Sequence, residues 1–583
     1  MSALKDQTVL ILGLGISGLA MARWCTRQGA RVVVADTRES PPHRERLAAD
    51  CPQADLLCGC AFDEALLARA DWHMIARSPG LQPQQLAPAM AHAQAHGIAL
   101  VGELDLFAQA LDELSRRETL PYRPKVLAVT GTNGKTTVTS LTGLLLERAG
   151  WRVAVAGNIG PALLDVLAQA LDHEAQMQAE DEARRAQEQE PTPERTGVEN
   201  VAPVNAPAGE AADDVAETDP AEEGPVPIAP PPPEPPPPPH LPQVWVLELS
   251  SFQLDGTAGG AWDRIPTTAT VLNVTEDHLD WHGSMDAYAQ AKQAVFGSGA
   301  RMLLNRDDPQ VMAMQPGLVT VKIRGRNRQV PAREWVSFGL DAPARAGDWG
   351  IESVNGMDWL VRAQPVDETR QRGRAAQDEE DIWLQRLMPA DALRIRGRHN
   401  AANALAALAL ATSTGATLAP MLHGLREYRG EPHRVEPVGI IDEVEYFDDS
   451  KGTNVGATLA AIRGLGAERR LVVILGGDGK GQNFEPLAAP LARHARAVVL
   501  IGRDAPLIRG QIAQAGLTLL EAPTLPEAVR LCAQQAKSGD AVLMSPACAS
   551  LDMFDSYVHR ARVFVDAVAE LAAERGLSLA GGV

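Results

Sequence analysis

Residues 128–138 read AVTGTNGKTTV. The apolar run VLAV (126–129) enters a glycine-bearing loop, and a helix-forming segment follows it. Strand, glycine loop and helix in that order mark a βα unit of an α/β domain, with its ligand site beyond the carboxyl end of the strand. The spacing departs from the phosphate-loop pattern G-x-x-x-x-G-K-[ST]. Gly134, Lys135 and Thr136 fit its end, but its first glycine falls on Val129. The physics of phosphate binding survives the departure. Gly131 and Gly134 let the backbone approach phosphate oxygens, and the helix start offers unpaired N–H groups. Lys135 can neutralise the β- and γ-phosphates, and the Thr136 hydroxyl can ligate Mg²⁺. Thr130, Thr132, Asn133 and Thr137 complete the loop.

Mg²⁺ needs a carboxylate nearby. Glu248, at the end of the apolar stretch VWVLE (244–248), is well placed to supply it. The segment NVTEDHLDWHGSMDAYAQAKQAVF (273–296) is dense in groups that coordinate metal or bind substrate, and within it His278 and Lys292 stand out. Taken singly, each of these is an ordinary strand-end carboxylate, loop histidine or helix lysine.

A second glycine motif lies near the start. Gly13-Leu14-Gly15-Ile16-Ser17-Gly18 satisfies G-x-G-x-x-G, and Asp36 ends the next strand where a ribose-binding acid would sit. Three readings are open locally: a nicotinamide dinucleotide site, a tight packing turn, or a helix N-terminus holding another diphosphate.

Strands and helices alternate over 1–112 and again over 440–583, as in TVLILGLG, ARVVVAD, LVVILGGDGKG and DAVLMSPACAS. The pattern predicts three successive α/β domains with largely parallel sheets: 1–112, 113–430 and 431–583. The outer two are expected to be Rossmann-like and the central one a phosphate-loop ATPase. The segment 172–242 stands apart. It contains 17 Asp and Glu against three Arg, a net of −14 within a chain of −20, and ends in IAPPPPEPPPPPHLP. It predicts a disordered acidic, proline-rich insertion inside the central domain. Its partner, if any, is unspecified. The polar stretch 366–381 reads as a second exposed loop.

The rest of the chain carries only −6, which gives no footprint for nucleic acid. No uninterrupted apolar run approaches a membrane span, and the N-terminus has no cleavable signal pattern, so a cytoplasmic location is expected. The six cysteines make no disulfide framework, and Cys58-Gly59-Cys60 lacks zinc-site spacing.

Several motifs together resemble the Mur ligase family, whose members build the peptide stem of the bacterial cell wall. They are GTNGKT (131–136), LELSSFQL (247–254), LNVTEDHLD (272–280), GRHNAANALAA (397–407) and EPHR (431–434). DDSKGTN (448–454), LGGDGKG (475–481) and SPACASLDMF (545–554) resemble the members that add D-glutamate. The resemblance spans nearly the whole chain outside 172–242. It implies a monomeric enzyme that uses ATP and two Mg²⁺ ions to join D-glutamate to UDP-MurNAc-L-alanine.

Residue by residue, the resemblance places Lys135, Thr136 and Glu248 at the ATP phosphates and one Mg²⁺. It gives the second ion to His278 and a carbamylated Lys292. Asn400 and Asn403 match adenine-side positions, Arg434 a phosphate contact, Asp449 a ribose contact, and Lys451 a position near the reacting carboxylates. Thr453, Lys480, Ser550, Leu551 and Tyr557 match D-glutamate contacts. Ile16, Ser17, Thr37, Arg38, Gly80 and Asn158 match UDP-substrate contacts, which makes GLGISG a UDP site. Helix capping is the plain local alternative for the two asparagines of HNAAN.

Overall fold

The computed structural model describes residues 4–158, 160–188, 240–323, 326–366, 382–467 and 469–577. Three large sheets follow one another along the chain, beside one two-stranded hairpin.

The first sheet holds β1 (Thr8–Leu12), β2 (Arg31–Asp36), β3 (Asp55–Cys58), β4 (Met74–Arg77) and β5 (Ala99–Val101), in the order 3-2-1-4-5. Its pairings are all parallel. The apolar runs VLIL and VVVA are buried along their whole length, as strands covered on both faces require.

The central sheet begins with β6 (Lys125–Thr130), β7 (Val153–Gly157), β8 (Val244–Glu248), β9 (Thr268–Val271) and β10 (Arg301–Asn305). The hairpin β11 (Leu318–Ile323) and β12 (Arg326–Pro331) stands apart as its own two-stranded sheet. The central sheet then continues through β13 (Trp335–Phe338), β14 (Trp349–Val354), β15 (Met357–Pro365) and β16 (Ile382–Pro389). Its nine strands lie in the order 16-15-14-13-10-9-6-8-7. The half carrying the phosphate loop is parallel, while β14, β15 and β16 add an antiparallel edge.

The third sheet contains β17 (Glu436–Ile441), β18 (Val444–Asp448), β19 (Leu471–Gly476), β20 (Ala495–Ile501), β21 (Thr518–Glu521) and β22 (Ala541–Met544). The order is 17-18-22-19-20-21, and only the β17 edge is antiparallel.

The expected insertion is corrected at its start. A single helix runs Leu163–Glu188, so 172–188 is helical. Ala, Glu, Gln and Arg dominate this stretch, and all favour helix on their own. Tertiary contacts fix it as well. Arg23 donates to Asp165 at 2.9 Å, Arg27 pairs with Asp172 at 2.6 Å, and Glu174 is buried. At the other end Leu241 is buried and the Pro242 carbonyl accepts from the Tyr122 hydroxyl at 2.6 Å. The remainder of the expected insertion, 189–239, lies outside the described residues, as does 367–381 of the second expected loop.

One continuous apolar core joins the first two sheets. It includes Val9, Ile11 and Trp24 from the first and Trp245, Leu247 and Phe296 from the second. The third sheet has two cores of its own, around Val472 and Val473. Among the described residues no helix is long and apolar enough to cross a membrane.

Candidate active site

The phosphate loop is shaped by two glycines. Gly131 (φ 153°) lies so close to β9 that an added Cβ would stand 3.0 Å from Leu272 Cβ. Gly134 (φ 85°) would put a Cβ 2.8 Å from Asn403 Oδ1. The helix Lys135–Arg148 follows at once, with no side chain capping its first N–H groups. Those groups remain available to an anion. Lys135 Nζ folds back onto the Gly131 and Thr132 carbonyls at 2.8 and 2.9 Å. Burial and the nearby Arg434 and Lys451 lower its pKa, against the pull of Glu248.

Glu248 ends β8, next to the loop. It is 1% exposed. Its Oε1 accepts from Asn158 Nδ2 at 2.9 Å, while Oε2 is buried with no hydrogen-bond partner. A carboxylate oxygen left unpaired in a protein interior is costly and marks a place for a cation. Lys292 is also 1% exposed. Its Nζ donates to the Gly131 carbonyl at 3.0 Å and lies 4.3 Å from the centre of the Tyr288 ring. Burial, reinforced by Lys135, pushes its pKa well below the ordinary lysine value. His278 (φ 53°) begins the turn Leu279–His282 and packs edge-on against Phe252 at 4.8 Å. Burial, with Lys135, Lys292 and Lys480 around it, lowers its pKa and keeps the imidazole neutral. An unpaired carboxylate oxygen lies here among an imidazole and an amine whose charged forms burial disfavours, a setting that suits a cation.

The third sheet reaches this centre directly. Arg434 Nη2 donates to Thr136 Oγ1 at 2.7 Å. Asn454 Nδ2 lies 3.2 Å from both Asn133 Oδ1 and Asp277 Oδ2. Gly456 sits so near that a Cβ would stand 2.9 Å from Thr275 Oγ1. Between the two domains lies a cavity of about 200 Å³ lined by Asn133, Asn400, Asn403, Arg434 and Asp449, among others. The two asparagines do not cap their helix. Asn400 donates to the Arg396 carbonyl at 2.8 Å and Asn403 to Asn400 Oδ1 at 3.1 Å. Burial pushes Asp449 up to about 7, although Ser545 Oγ donates to it at 2.6 Å.

Three loops leave the carboxyl ends of β18, β19 and β22 and are stitched together. The Ala547 N–H donates to the Gly452 carbonyl at 2.9 Å, and Asp478 and Ala549 exchange backbone hydrogen bonds at 2.8 and 3.0 Å. This places Lys451, Thr453, Lys480, Ser550 and Leu551 on one rim. Lys451 Nζ lies 3.8 Å from the centre of the Tyr557 ring. Ser550 is buried, Leu551 and Lys480 exposed.

At the first sheet, Ile16, Ser17, Thr37, Arg38 and Gly80 all lie past strand ends on one edge. The Trp281 indole donates to the Leu81 carbonyl at 3.3 Å, which ties that edge to the His278 turn. Asp36 is not free to clamp a ribose. Its oxygens accept from Leu14 N (2.7 Å) and from Arg38 N, Nε and Nη2 (2.9, 2.8 and 2.7 Å). Four donors fill a carboxylate. Although burial alone raises its pKa, these bonds hold it at about 2. Asn158, matched to a sugar–diphosphate contact, is engaged by Glu248.

Asn454, Asp277 and the His433–Asp448 pair (2.7 Å) were missed in the sequence reading. Their motifs contained them, but their partners lie up to 321 residues away.

The fold and this centre define a three-domain nucleotide-dependent enzyme whose phosphate loop is met by an arginine from another domain. Residues 7–102 match the Mur ligase MurD-like N-terminal domain, 129–192 with 240–339 the Mur ligase middle domain, and 433–548 the Mur ligase glutamate ligase domain. The chain is 54% identical to the UDP-N-acetylmuramoylalanine–D-glutamate ligase of Albidiferax ferrireducens, covering 100% of this chain and 99% of that one. It is 48% identical to the enzyme of the same name from a Polaromonas species, over 99% and 100% of the two chains. The counterpart from Burkholderia mallei is 49% identical over 98% of each. The chain belongs to the Mur ligase family.

Proposed function

We propose that this chain is the ATP-dependent ligase that joins D-glutamate to UDP-N-acetylmuramoyl-L-alanine, releasing ADP and phosphate, in peptidoglycan precursor synthesis. The observation that carries this reading is the contact of Arg434 with Thr136 above the unpaired Glu248 oxygen. It brings phosphate loop, metal-binding carboxylate and acceptor-side domain into one centre.

A carboxylate is a poor electrophile. On this reading the terminal alanine carboxylate attacks the γ-phosphorus, the bond to ADP breaks, and an acyl phosphate forms. The amine of D-glutamate then attacks the carbonyl carbon. The tetrahedral oxyanion collapses, phosphate leaves with its bonding pair, and the amine loses a proton. Lys135 and Arg434 stabilise charge on the transferring phosphoryl group, and Lys451 lies beside the reacting carboxylates. The work is mainly alignment of three bound substrates.

Glu248, Thr136, His278 and a carbamylated Lys292 would hold Mg²⁺, two ions in all, whose chemistry is neutralisation of phosphate charge. Burial disfavours the charged form of the Lys292 amine, and the uncharged amine is the form that attacks CO₂, which supports the carbamate. Asn400 and Asn403 face adenine and Asp449 the ribose. Thr453, Lys480, Ser550, Leu551 and Tyr557 receive D-glutamate. The edge at Ile16, Ser17, Thr37, Arg38 and Gly80 takes the uridine nucleotide, with Asn158 toward the sugar. The domain division 1–112, 113–430 and 431–583 assigns one substrate to each.

The test is phosphate release with Mg²⁺, ATP, UDP-MurNAc-L-alanine and D-glutamate, omitting one at a time. Release requiring all four, with a product heavier by one glutamyl residue, is expected. Release with another amino acid in place of D-glutamate would keep the ligase class and overturn the acceptor.

A further inference from the structure

Arg560 has no exposed surface. It sits one turn into the helix Tyr557–Glu574 and points beneath the rim that carries Lys451, Ser550 and Tyr557. Its Nε donates to Ser450 Oγ at 3.0 Å, Nη2 to the Ser450 carbonyl at 2.8 Å, and Nη1 to the Cys548 carbonyl at 3.1 Å. Ser450 Oγ in turn donates to the Tyr557 carbonyl at 2.7 Å. One guanidinium thus fastens three separate segments. Ser450 precedes Lys451, Cys548 lies two residues before Ser550, and Tyr557 starts the helix itself.

Every one of these acceptors is neutral. Among the described residues no carboxylate forms an ion pair with Arg560; Asp552, Asp448 and Asp449 act on it only at longer range. Burial lowers its pKa to about 10, so it stays charged at neutral pH. A buried cation without a paired anion is expensive, and an apolar side chain of similar volume would fill the space more cheaply. Stability therefore does not explain the choice of arginine. The charge does, if the adjoining pocket receives an anion.

We propose that Arg560 is the positioning residue of the acceptor pocket: it sets the relative placement of Lys451, Ser550 and Tyr557, and its unpaired charge favours an acceptor amino acid with a second carboxylate. The inference rests on the proposed D-glutamate reading. It acts through its neighbours and does not touch the reacting atoms. The phosphate loop and the first sheet make no hydrogen bond with Arg560, so UDP-substrate binding is left alone, and ATP is reached only through Asp449, the neighbour of Ser450.

The experiment compares wild type with Arg560→Met, Arg560→Lys and Arg560→Ala, each checked for folding by thermal melt, with KM measured separately for D-glutamate, ATP and UDP-MurNAc-L-alanine. Losing hydrogen bonds to a charged group at this site should raise the D-glutamate KM of Arg560→Met by about tenfold to a hundredfold, with the UDP-MurNAc-L-alanine KM within about twofold and the ATP KM rising far less than that for D-glutamate. Arg560→Lys, which keeps the charge but loses the fork, should fall between. Added guanidinium should restore part of the Arg560→Ala activity and leave wild type unchanged. A folded Arg560→Met whose D-glutamate KM is unmoved, or whose three KM values rise together, overturns the proposal. Should Arg560→Met not fold, Arg560→Lys decides by the same criterion. Absence of turnover with D-glutamate in wild type overturns the proposed function instead, so the two failures are distinct.

Discussion

The Arg434 guanidinium of the third domain donates a hydrogen bond to the hydroxyl of Thr136, the residue that follows Lys135 in the phosphate loop, across 2.7 Å. The contact joins positions 298 apart in sequence. Arg434→Ala should lower kcat by about 10²-fold, the order seen when one preorganised donor to a developing charge is removed. The KM for UDP-MurNAc-L-alanine should hardly move, since the site proposed for it lies on the first sheet. Steady-state kinetics with each substrate varied in turn checks both.

Glu248→Gln keeps the hydrogen-bond partner of Asn158 but removes the charge. Loss of the carboxylate should reduce turnover by about 10³-fold, equivalent to several kcal/mol of charge stabilisation. Raising the Mg²⁺ concentration should recover some of it. Phosphate release across a Mg²⁺ titration measures the effect.

Lys292 should depend on dissolved CO₂. Burial and the neighbouring Lys135 lower its pKa, which favours the uncharged amine, the form that can be carbamylated. Degassed, bicarbonate-free enzyme should lose activity and regain it on adding bicarbonate. Lys292→Ala should be nearly inactive and partly restored by short carboxylic acids. Intact mass of the native protein showing no carbamate in bicarbonate buffer would count against this.

Asp449 links stability to pH. Its folded pKa is raised by burial to about 7 from an ordinary 3.8. The protonated form is therefore favoured in the folded state. Its contribution is complete below about pH 4 and is lost as pH rises through 7. Asp449→Asn should melt several degrees higher than wild type at pH 8 and close to it at pH 4.5, in the absence of nucleotide. Thermal melts at the two pH values test the sign.

Removing 189–239 should leave turnover within about twofold, because every motif lies outside it. Removing 172–242 should destabilise the protein by about 2–5 kcal/mol, because it deletes the buried Glu174 and Leu241 and the Asp172–Arg27 pair. Melting temperatures of the two deletions separate the cases.

The phosphate loop was legible because its signal is local: a strand, two glycines and a helix start within a dozen residues. The three largely parallel sheets were legible for the same reason, since strands covered on both faces read as apolar runs. The helical 172–188 was not. Its outward residues are mostly polar, and its ordering is helped by Arg27, on a helix packed against the first sheet. Asp36 looked like a ribose clamp because sequence shows an acid at a strand end but not the four donors already bound to it. Asn454 and Arg560 sat inside recognised motifs, yet their roles come from partners that only the folded chain brings near.

The continuous apolar core between the first two sheets has a mechanical meaning. Prising those sheets apart would wet Trp24, Trp245 and their neighbours, so the first sheet and the phosphate loop behave as one anvil. The third sheet keeps its greasy interior to itself and grips the anvil through an arginine and an asparagine. Movement is therefore expected between this hammer and the anvil and not within the anvil, and solution scattering with and without the full set of ligands would show it.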